Sequence, residues 1–246
     1  MTAFITLYES LFEVKIANTP EDIEALERIR YQVYVNERHW EPENHRQRER
    51  DKYDNQAVHV LMTFKPEGVP LGTARIILPN ERNLHHSYPV QGVCHHPIFL
   101  DRYWVKQHPE FSRFAIAKNA REYCLSHPII TEKINALKLD ERSTRFQLAM
   151  GMSFGLISKI TSVLRARQLE GTCAVLEKSL VRLLTKGGLN ITELGQPVEH
   201  HGLRQPCYLD VQKLSRLVTR PDSLLAQLIY HDCSVSLPNT QEVVYQ

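Results

Sequence analysis

Two arginines stand where a folded chain normally places apolar side chains. At about 100° per residue, the helix predicted over residues 20–36 has Arg30 in the middle of its apolar sector. Arg75 interrupts the mostly apolar run of residues 71–78, which is typical of a strand covered on both faces. A guanidinium removed from water without a partner costs several kcal/mol. Each arginine therefore requires a buried carboxylate, and this requirement constrains the fold more than any other feature.

Acidic residues that can meet this requirement lie between the two arginines. Glu49, Asp51 and Asp54 belong to a mixed-charge segment without an apolar period. Such a run is in most proteins a solvated loop with surface ion pairs, and that interpretation stays open here. It accounts poorly for Arg30 and Arg75, because both occupy apolar positions.

A later predicted strand begins with another acid and another arginine. Alternation along it places Glu110, Ser112 and Phe114 on one face and Arg113 on the other. Four acids and three arginines are thus predicted to converge. Coupled carboxylates of this kind are candidates for a functional site.

The remaining periodicities predict one α/β domain with a mainly antiparallel sheet. Strands are predicted over 58–64 and 71–78, which form a hairpin, over 112–117 and 171–176, and as two more within 190–211; helices are predicted over 119–125, 140–168 and 177–186. The long helix is expected to bury Phe146, Met150, Phe154, Ile157, Ile160 and Leu164. Residues 80–109 predict a lid or pocket wall. Because no linker divides the chain, residues 1–220 are predicted as a single domain and residues 221–246 as a C-terminal helix and tail.

Composition excludes several classes of protein. With 42% hydrophobic and 24% charged residues the chain is globular, and a net charge of +2 is too small for a general nucleic-acid binder. No stretch approaches the length of a transmembrane segment and no signal peptide is evident, so a cytoplasmic protein is expected. The five cysteines lack any C-x-x-C spacing and are expected to be reduced core residues. We predict no metal site, although Cys94-His95-His96 is the cluster that an experiment would check first.

Five motifs in order resemble the signature of the acyl-homoserine-lactone autoinducer synthases. The likeness is closer to the N-acyl amino acid synthases and the exosortase-associated (PEP-CTERM system) acyltransferases, and it covers about residues 20–125. The motifs are Arg30-Tyr-Gln-Val-Tyr34, Trp40 followed by Glu49-x-Asp51-x-x-Asp54, His59 ahead of the hairpin, Leu71-Gly-Thr-Ala-Arg75, and Glu110-Phe-Ser112-Arg113-Phe114.

The resemblance implies a fold similar to the GCN5-related N-acetyltransferases (GNAT), with a mixed, mostly antiparallel, splayed sheet flanked by helices. It implies transfer of a fatty acyl group from acyl carrier protein to an amine, with no tightly bound cofactor. Glu110 matches the family's general base, and Ser112 and Arg113 are assigned to catalysis with it. The substrate-binding residues implied are Arg30, Tyr34, Trp40, Glu49, Asp51, Asp54, Arg75 and Phe114.

The chain departs from acetyltransferases that use coenzyme A, because residues 114–121 contain no glycine to cradle a pyrophosphate. This favours the single phosphate of an acyl-carrier-protein phosphopantetheine as donor, although acyl-CoA stays open. Lys118 and Arg121 are candidates to meet that phosphate and are equally consistent with surface residues. If the acceptor is an amino acid, an arginine of the cluster is the expected clamp for its carboxylate.

Acyl carrier proteins are acidic, so a basic docking face is expected. Residues 156–186 contain two acidic residues and six basic ones, and Arg165 and Arg167 are among the basic residues. Three alternatives stay open: a lactone synthase that consumes S-adenosylmethionine, a non-catalytic lipid-binding module, and a metal-dependent hydrolase built on the histidine pairs.

Overall fold

The computed structural model describes residues 2–211 and 224–234, and in the last helix the side chains of residues 224–229 and 231. Its helices are α1 (Ala3–Leu11), α2 (Pro20–Tyr31), α3 (Arg102–Gln107), α4 (Lys118–Ser126), α5 (Pro128–Ala136), α6 (Glu141–Ala166), α7 (Lys178–Lys186) and α8 (Leu224–Ser234). Its strands are β1 (Phe12–Ile16), β2 (Ala57–Phe64), β3 (Val69–Ile77), β4 (Glu110–Ile116), β5 (Gly171–Glu177), β6 (Ile191–Glu193), β7 (Val198–Glu199) and β8 (Leu203–Asp210).

The strands form one sheet in the order β1-β2-β3-β4-β5-β8-β6, with β7 paired to β8. Only β4 and β5 run parallel among the described strands, and all other neighbours are antiparallel. The prediction of a mixed, mostly antiparallel α/β fold is therefore confirmed.

Helices cover both faces of this sheet. On β2, Val60 and Met62 face the main core with α1 and α6, whereas Leu61 faces α2. This alternation is the period of two expected of a strand buried on both faces. As a consequence, a side chain on the inner face of α2 points at the centre of the sheet.

Local sequence signals explain where α2 begins and how it ends. The Thr19 hydroxyl accepts a hydrogen bond from the Asp22 amide at 3.2 Å, and Pro20 occupies the first turn. The predicted extension toward Asn36 is present, but as a π-helix over Gln32–Glu37. The wider π turn changes which residues face the sheet, and such turns occur frequently at functional sites.

The long helix α6 is confirmed, but part of its predicted core face is wrong. Phe154, Ile157 and Ile160 are buried, whereas Phe146 is 68% exposed. The first turns of α6 bury Thr144 and Leu148 instead, so Phe146 lies on the side of the helix that faces solvent. Met150 is partly buried at the edge of the core.

Three elements were not predicted from the sequence: α1, β1 and α5. The region predicted as two strands, 190–211, contains three, because β7 forms a short hairpin with β8. Within the 80–109 excursion, three short 3₁₀ turns and α3 pack against Ala57, Ile77 and Cys173 in a second core cluster.

By length and composition α6 could span a membrane, and 72% of its most apolar window is buried inside the protein. Helix α8 packs against α6 and buries Leu225, Leu228 and Ile229 in the main core. The predicted domain boundary at residues 220/221 lies outside the described residues and stays a prediction.

Candidate active site

Three carboxylates and three guanidiniums form a closed ring between α2 and the sheet. Each carboxylate bridges two arginines, and each arginine bridges two carboxylates. In order, the ring runs Arg30, Asp54, Arg75, Asp51, Arg113, Glu49 and back to Arg30. The predicted convergence of these six residues is confirmed, and their formal charges cancel.

Arg30 and Arg75 are the inner members of the ring, and both side chains are fully buried. Arg30 donates from both terminal nitrogens to the two Asp54 oxygens at 2.8 Å, and from Nε to Glu49 at 2.5 Å. Arg75 donates from Nη1 to Asp51 and Asp54, both at 2.7 Å, and from Nε to the Ser112 hydroxyl at 3.1 Å. Such bidentate, charge-assisted bonds offset the cost of burying the charges.

Electrostatics keep the ring ionised. Burial alone would raise the pKa of the Asp54 carboxyl, but the hydrogen bonds and charges of Arg30 and Arg75 hold that pKa well below its usual range. Asp51 behaves in the same way: its burial is outweighed by Arg75, and its pKa is lowered. Burial would lower the pKa of Arg30, and its carboxylates raise it instead.

Glu110 does not join the ring, contrary to the prediction of four converging acids. Its side chain is buried at the start of β4, and Oε2 accepts a hydrogen bond from the Val90 amide at 2.7 Å. Burial raises the pKa of Glu110 to about 7, against the lowering effect of that amide and of Arg75 and Arg113. A carboxyl of this pKa can exchange a proton near neutral pH.

A bulge in β4 overturns the predicted alternation of its side chains. The register between β3 and β4 shifts between Thr73 and Arg75, and Arg113 has a left-handed φ of 49°. Arg113 is thereby turned to the same side as Ser112, where it donates to Glu49 at 2.8 Å. Phe114 in turn lies on the side of Phe111, with ring centroids 5.8 Å apart. The prediction that Ser112 and Phe114 share one face and that Arg113 points away from Ser112 is wrong for this reason.

The sheet splits between β4 and β5. These strands pair only at Glu110–Cys173 and Phe111–Ala174, so the edge of β4 beyond Phe111 has no partner on β5. A cavity of about 430 Å³ occupies the gap. Its walls include Glu110, Ser112, Arg113 and Phe114 from β4, Tyr34 and Trp40 from the segment after α2, Arg121 from α4, and His200, His201 and Arg204 from the β7–β8 hairpin. The predicted catalytic strand and acceptor residues therefore line one cavity or lie directly behind its wall.

The two predicted phosphate ligands lie in different environments. Arg121 lines the cavity at the start of α4. The Lys118 side chain is 77% exposed, and its nitrogen lies 4.0 Å from Glu122. Both residues are exposed, and of the two only Arg121 lines the cavity. Their role as phosphate ligands stays a prediction.

The β7–β8 hairpin is the part of the site that sequence reasoning missed. His201 and Gly202 have φ of 52° and 92°, as a tight hairpin turn requires. This turn stacks His201 on Trp40 at 5.7 Å and brings Arg204 to 4.6 Å from the same ring. The His-His-Gly sequence signals a turn, but nothing in it indicates contact with a residue some 160 positions earlier in the chain.

The described residues contain no group of three or more His, Cys, Asp or Glu side chains placed to hold a metal ion. Cys94, Cys124, Cys173 and Cys207 are buried free thiols, which confirms the prediction for these four. The side chain of Cys233 lies outside the described residues.

Residues 29–126 match the family model described as the acetyltransferase (GNAT) domain. No curated protein matches the chain. The matched residues contain the whole ring, Glu110 and the phosphate candidate Arg121. Over these residues the chain matches a GNAT domain, and the predictions of a GNAT-like fold and of an acyltransferase are confirmed.

Solved structures agree with this fold over nearly the whole chain. The enzyme BjaI, a CoA-dependent acyl-homoserine lactone synthase solved with SAM and isopentyl-CoA, matches with a TM-score of 0.55 at 18% identity, covering 89% of this chain and 98% of that one. TofI, solved with an inhibitor and MTA, matches with a TM-score of 0.56 at 23% identity over 86% and 98%. FeeM, an N-acyl amino acid synthase from uncultured soil microbes, matches with a TM-score of 0.52 at 14% identity over 88% and 97%. The particular kinship with exosortase-associated acyltransferases stays a prediction from the motifs.

Proposed function

We propose that the protein transfers a fatty acyl group from a carrier-bound thioester to the amine of an amino acid or a similar small acceptor. The observation that carries this proposal is the position of Glu110, a buried carboxyl with a pKa of about 7 on the wall of the cavity between β4 and β5. The proposed reaction is direct attack of the amine on the thioester carbonyl. Glu110 acts as general base, and no acyl-enzyme is formed.

Glu110 suits the role of base because the acceptor arrives as an ammonium ion with a pKa of about 8–10. One proton must leave the nitrogen before or during attack. Glu110 takes that proton directly or through one water, and passes it on to the departing thiolate. The second proton that the nitrogen loses as the amide forms goes to solvent. The Val90 amide holds one carboxyl oxygen in place, so the other oxygen is the one oriented for this transfer.

The thioester arm is proposed to lie along the free edge of β4. An extended chain with amide groups can add to an unpaired strand edge by backbone hydrogen bonding. Backbone N–H groups of the bulged segment from Ser112 to Ala115 are then close to the reacting carbonyl. They are the proposed donors to the oxyanion that forms during attack.

The apolar wall of the cavity supports a hydrocarbon acyl group. Phe111 and Leu176 line the cavity, and they also line a second, small void of about 30 Å³ behind it. The other walls of that void are almost entirely apolar, with Ile157, Ile160 and Leu164 of α6 among them. A short displacement of Phe111 joins the two spaces and makes room for carbons of the acyl chain.

The donor is proposed to be acyl carrier protein rather than acyl-CoA. Support comes from the glycine-free start of α4 and from Arg121, a cation that lines the cavity within that segment. We further propose that the reaction takes place in the cytoplasm, where acyl carrier protein is available.

The test is transfer by the purified full chain, with dodecanoyl-acyl carrier protein and dodecanoyl-CoA as donors and a panel of amino acids as acceptors. Mass spectrometry of the products identifies the amide. Glu110→Gln is expected to lower the rate by about 10²–10⁴-fold, because it removes a general base while its amide oxygen still accepts from Val90. Thioester binding is expected to be unchanged.

Two outcomes would contradict the proposal. Unaltered turnover in Glu110→Gln removes Glu110 from the mechanism, and thioester binding without any product from the wild-type chain indicates a binding module. S-adenosylmethionine belongs in the acceptor panel, because its consumption with release of a lactone would assign the protein to the autoinducer synthases instead. Treatment with a chelator serves as the control for metal-dependent hydrolysis.

A further inference from the structure

Arg204 is a guanidinium of the cavity wall that the described residues compensate only in part. Its side chain is 14% exposed, and Nη2 lies 3.5 Å from both a Glu177 oxygen and the His201 carbonyl oxygen. Its Nε is buried without a hydrogen-bond partner among the described residues. A buried N–H group of a cation that donates to nothing is costly unless a ligand completes it.

The ring arginines are in the opposite situation. Arg30 and Arg75 donate from every nitrogen, and Arg113 is balanced by two carboxylates at 2.8 and 3.0 Å. Burial lowers the pKa of Arg204, whereas carboxylates raise the pKa of Arg30 and Arg113. An arginine of the ring is therefore a poor clamp for a substrate anion, contrary to the expectation from the sequence.

An aromatic stack holds Arg204 on the same side of the cavity as the ring. Its guanidinium carbon lies 4.6 Å from the centroid of Trp40, Trp40 stacks on Tyr34 at 5.7 Å, and Tyr34 lies under the Arg113 guanidinium at 5.4 Å. Stacking on an indole orients the plane of a guanidinium and leaves its N–H edge available. Arg204 and Glu110 line the same cavity.

We propose that Arg204 binds the carboxylate of the acceptor amine, with Trp40 as the platform that orients its guanidinium. The inference rests on the proposed function, because it concerns the acceptor of that reaction. A planar, two-oxygen carboxylate matches the edge of an arginine. The donor phosphate shares the anionic chemistry, but Arg121 at the start of α4 already provides a cation for it. A carboxylate bound by Arg204 orients the attached amine within the space that Glu110 lines.

The experiment measures binding by calorimetry and needs no turnover. The probes are N-dodecanoylglycine and N-dodecanoylglycinamide, which differ in one negative charge, and the proteins are the wild-type full chain, Arg204→Gln and Arg204→Lys. The wild-type chain is expected to prefer the carboxylate probe. Arg204→Gln is expected to weaken that probe by about 10- to 100-fold, the worth of a charged hydrogen bond, without changing the affinity for the amide probe.

Arg204→Lys keeps the charge but loses the planar fork, so an intermediate preference is expected. Arg142→Gln is the matched control, since Arg142 is an exposed arginine at the start of α6. An unchanged ratio of the two affinities in Arg204→Gln, or no preference in the wild-type chain, overturns the inference. A rise in KM for the acyl-carrier-protein donor in Arg204→Gln instead assigns the phosphate to Arg204 and also overturns it.

Failure of the inference and failure of the proposed function are distinguishable. If the wild-type chain makes no amide but prefers the carboxylate probe through Arg204, the anion site stands and the reaction is wrong. If the chain makes an amide and Arg204→Gln leaves the probe affinities unchanged, the reaction stands and the anion site is wrong.

Discussion

The Arg75 guanidinium contacts two carboxylates and one hydroxyl while fully buried in the centre of the sheet. In this ring the neutral total charge and the complete pairing of the inner arginines are what make burial tolerable. The same pairing makes the inner arginines rigid and unavailable. The inner arginines of the ring do not line the cavity, whereas Glu110, Arg113 and Arg204 do.

The pH dependence of transfer belongs to one residue. Because the folded pKa of Glu110 is raised to about 7, the base is protonated and inactive below that pH and ionised above it. We expect kcat/KM to rise with pH through about 7. The measurement is the rate at low acceptor concentration, from about pH 5 to about pH 9. A second rise at higher pH comes from the acceptor ammonium itself.

The control for this assignment is the pH–rate profile of the residual activity of Glu110→Gln. It should lack the rise near neutral pH and keep the rise at higher pH that comes from the acceptor amine. If that variant keeps the rise in rate near neutral pH, another group titrates in that range. The ring carboxylates do not account for it, because the pKa values of Asp51 and Asp54 are lowered.

At the scale of elements, the site depends on two local irregularities. The π-helix over Gln32–Glu37 positions Tyr34, whose hydroxyl donates to the Phe114 carbonyl oxygen at 3.3 Å. The bulge at Arg113 turns that side chain toward the ring and ends the pairing of β4 with β5. A regular helix and a regular strand of the same lengths would leave neither the ring nor the cavity in place.

Helix α6 supports the sheet through close contact with α1, and Gly155 is the critical position. A Cβ added at Gly155 would lie 1.8 Å from the Tyr8 hydroxyl oxygen and 3.1 Å from Met62. Tyr8 is packed beside Phe12, with ring centroids 5.0 Å apart, and cannot move freely. We expect Gly155→Ala to lower the free energy of unfolding by about 1–2 kcal/mol, since overpacking outweighs the helix propensity of alanine.

Unfolding in denaturant measures this loss of stability, and Gly151→Ala is the comparison variant. A Cβ at Gly151 would lie 3.1 Å from Tyr8, so this substitution should be tolerated better. Combining Gly155→Ala with Tyr8→Phe should cost less than the sum of the two single changes, since the second removes the clashing hydroxyl. Strict additivity would show that the contact between α1 and α6 is not the cause.

At the scale of the whole molecule, the proposed donor is a large acidic protein, which requires a basic docking surface outside the cavity. Arg165 and Arg167 are exposed at the carboxyl end of α6, within the basic residues 156–186 that we predict to dock acyl carrier protein. This docking role stays a prediction. It is separable from chemistry because both side chains lie on the exposed surface.

Reversal of charge at both positions, Arg165→Glu with Arg167→Glu, is expected to raise the apparent KM for acyl carrier protein several-fold and to leave a small thioester substrate unaffected. The effect should shrink at high salt, because exposed charges are screened. Arg142→Glu is the control, at the far end of the same helix and about 34 Å away by helical rise. An equal rise in apparent KM for both donors would contradict the predicted docking face.

Much of this architecture is readable from local sequence. The Thr19-Pro20 cap, the β2–β3 hairpin, β4, β5 and the period of α6 were all predicted, because each depends on neighbouring residues. Elements α1, β1 and α5 lack such clear signals. The exposure of Phe146 was missed because the first turns of α6 bury Thr144 and Leu148, and a polar threonine at a core position does not show in an apolar pattern.

The sequence by itself determined that Arg30 and Arg75 must be buried with carboxylates, because no other arrangement tolerates two guanidiniums at apolar positions. It also indicated Glu49, Asp51 and Asp54 as partners, since they lie between the two arginines in the chain, although it added Glu110 to the set and left a solvated loop open. Only the tertiary structure decided that the six groups close into a ring, that Glu110 stays outside it, and that Arg204 reaches Trp40. Those outcomes depend on a bulge, a strand split and a contact across some 160 residues, which packing of the whole chain sets and no local pattern encodes.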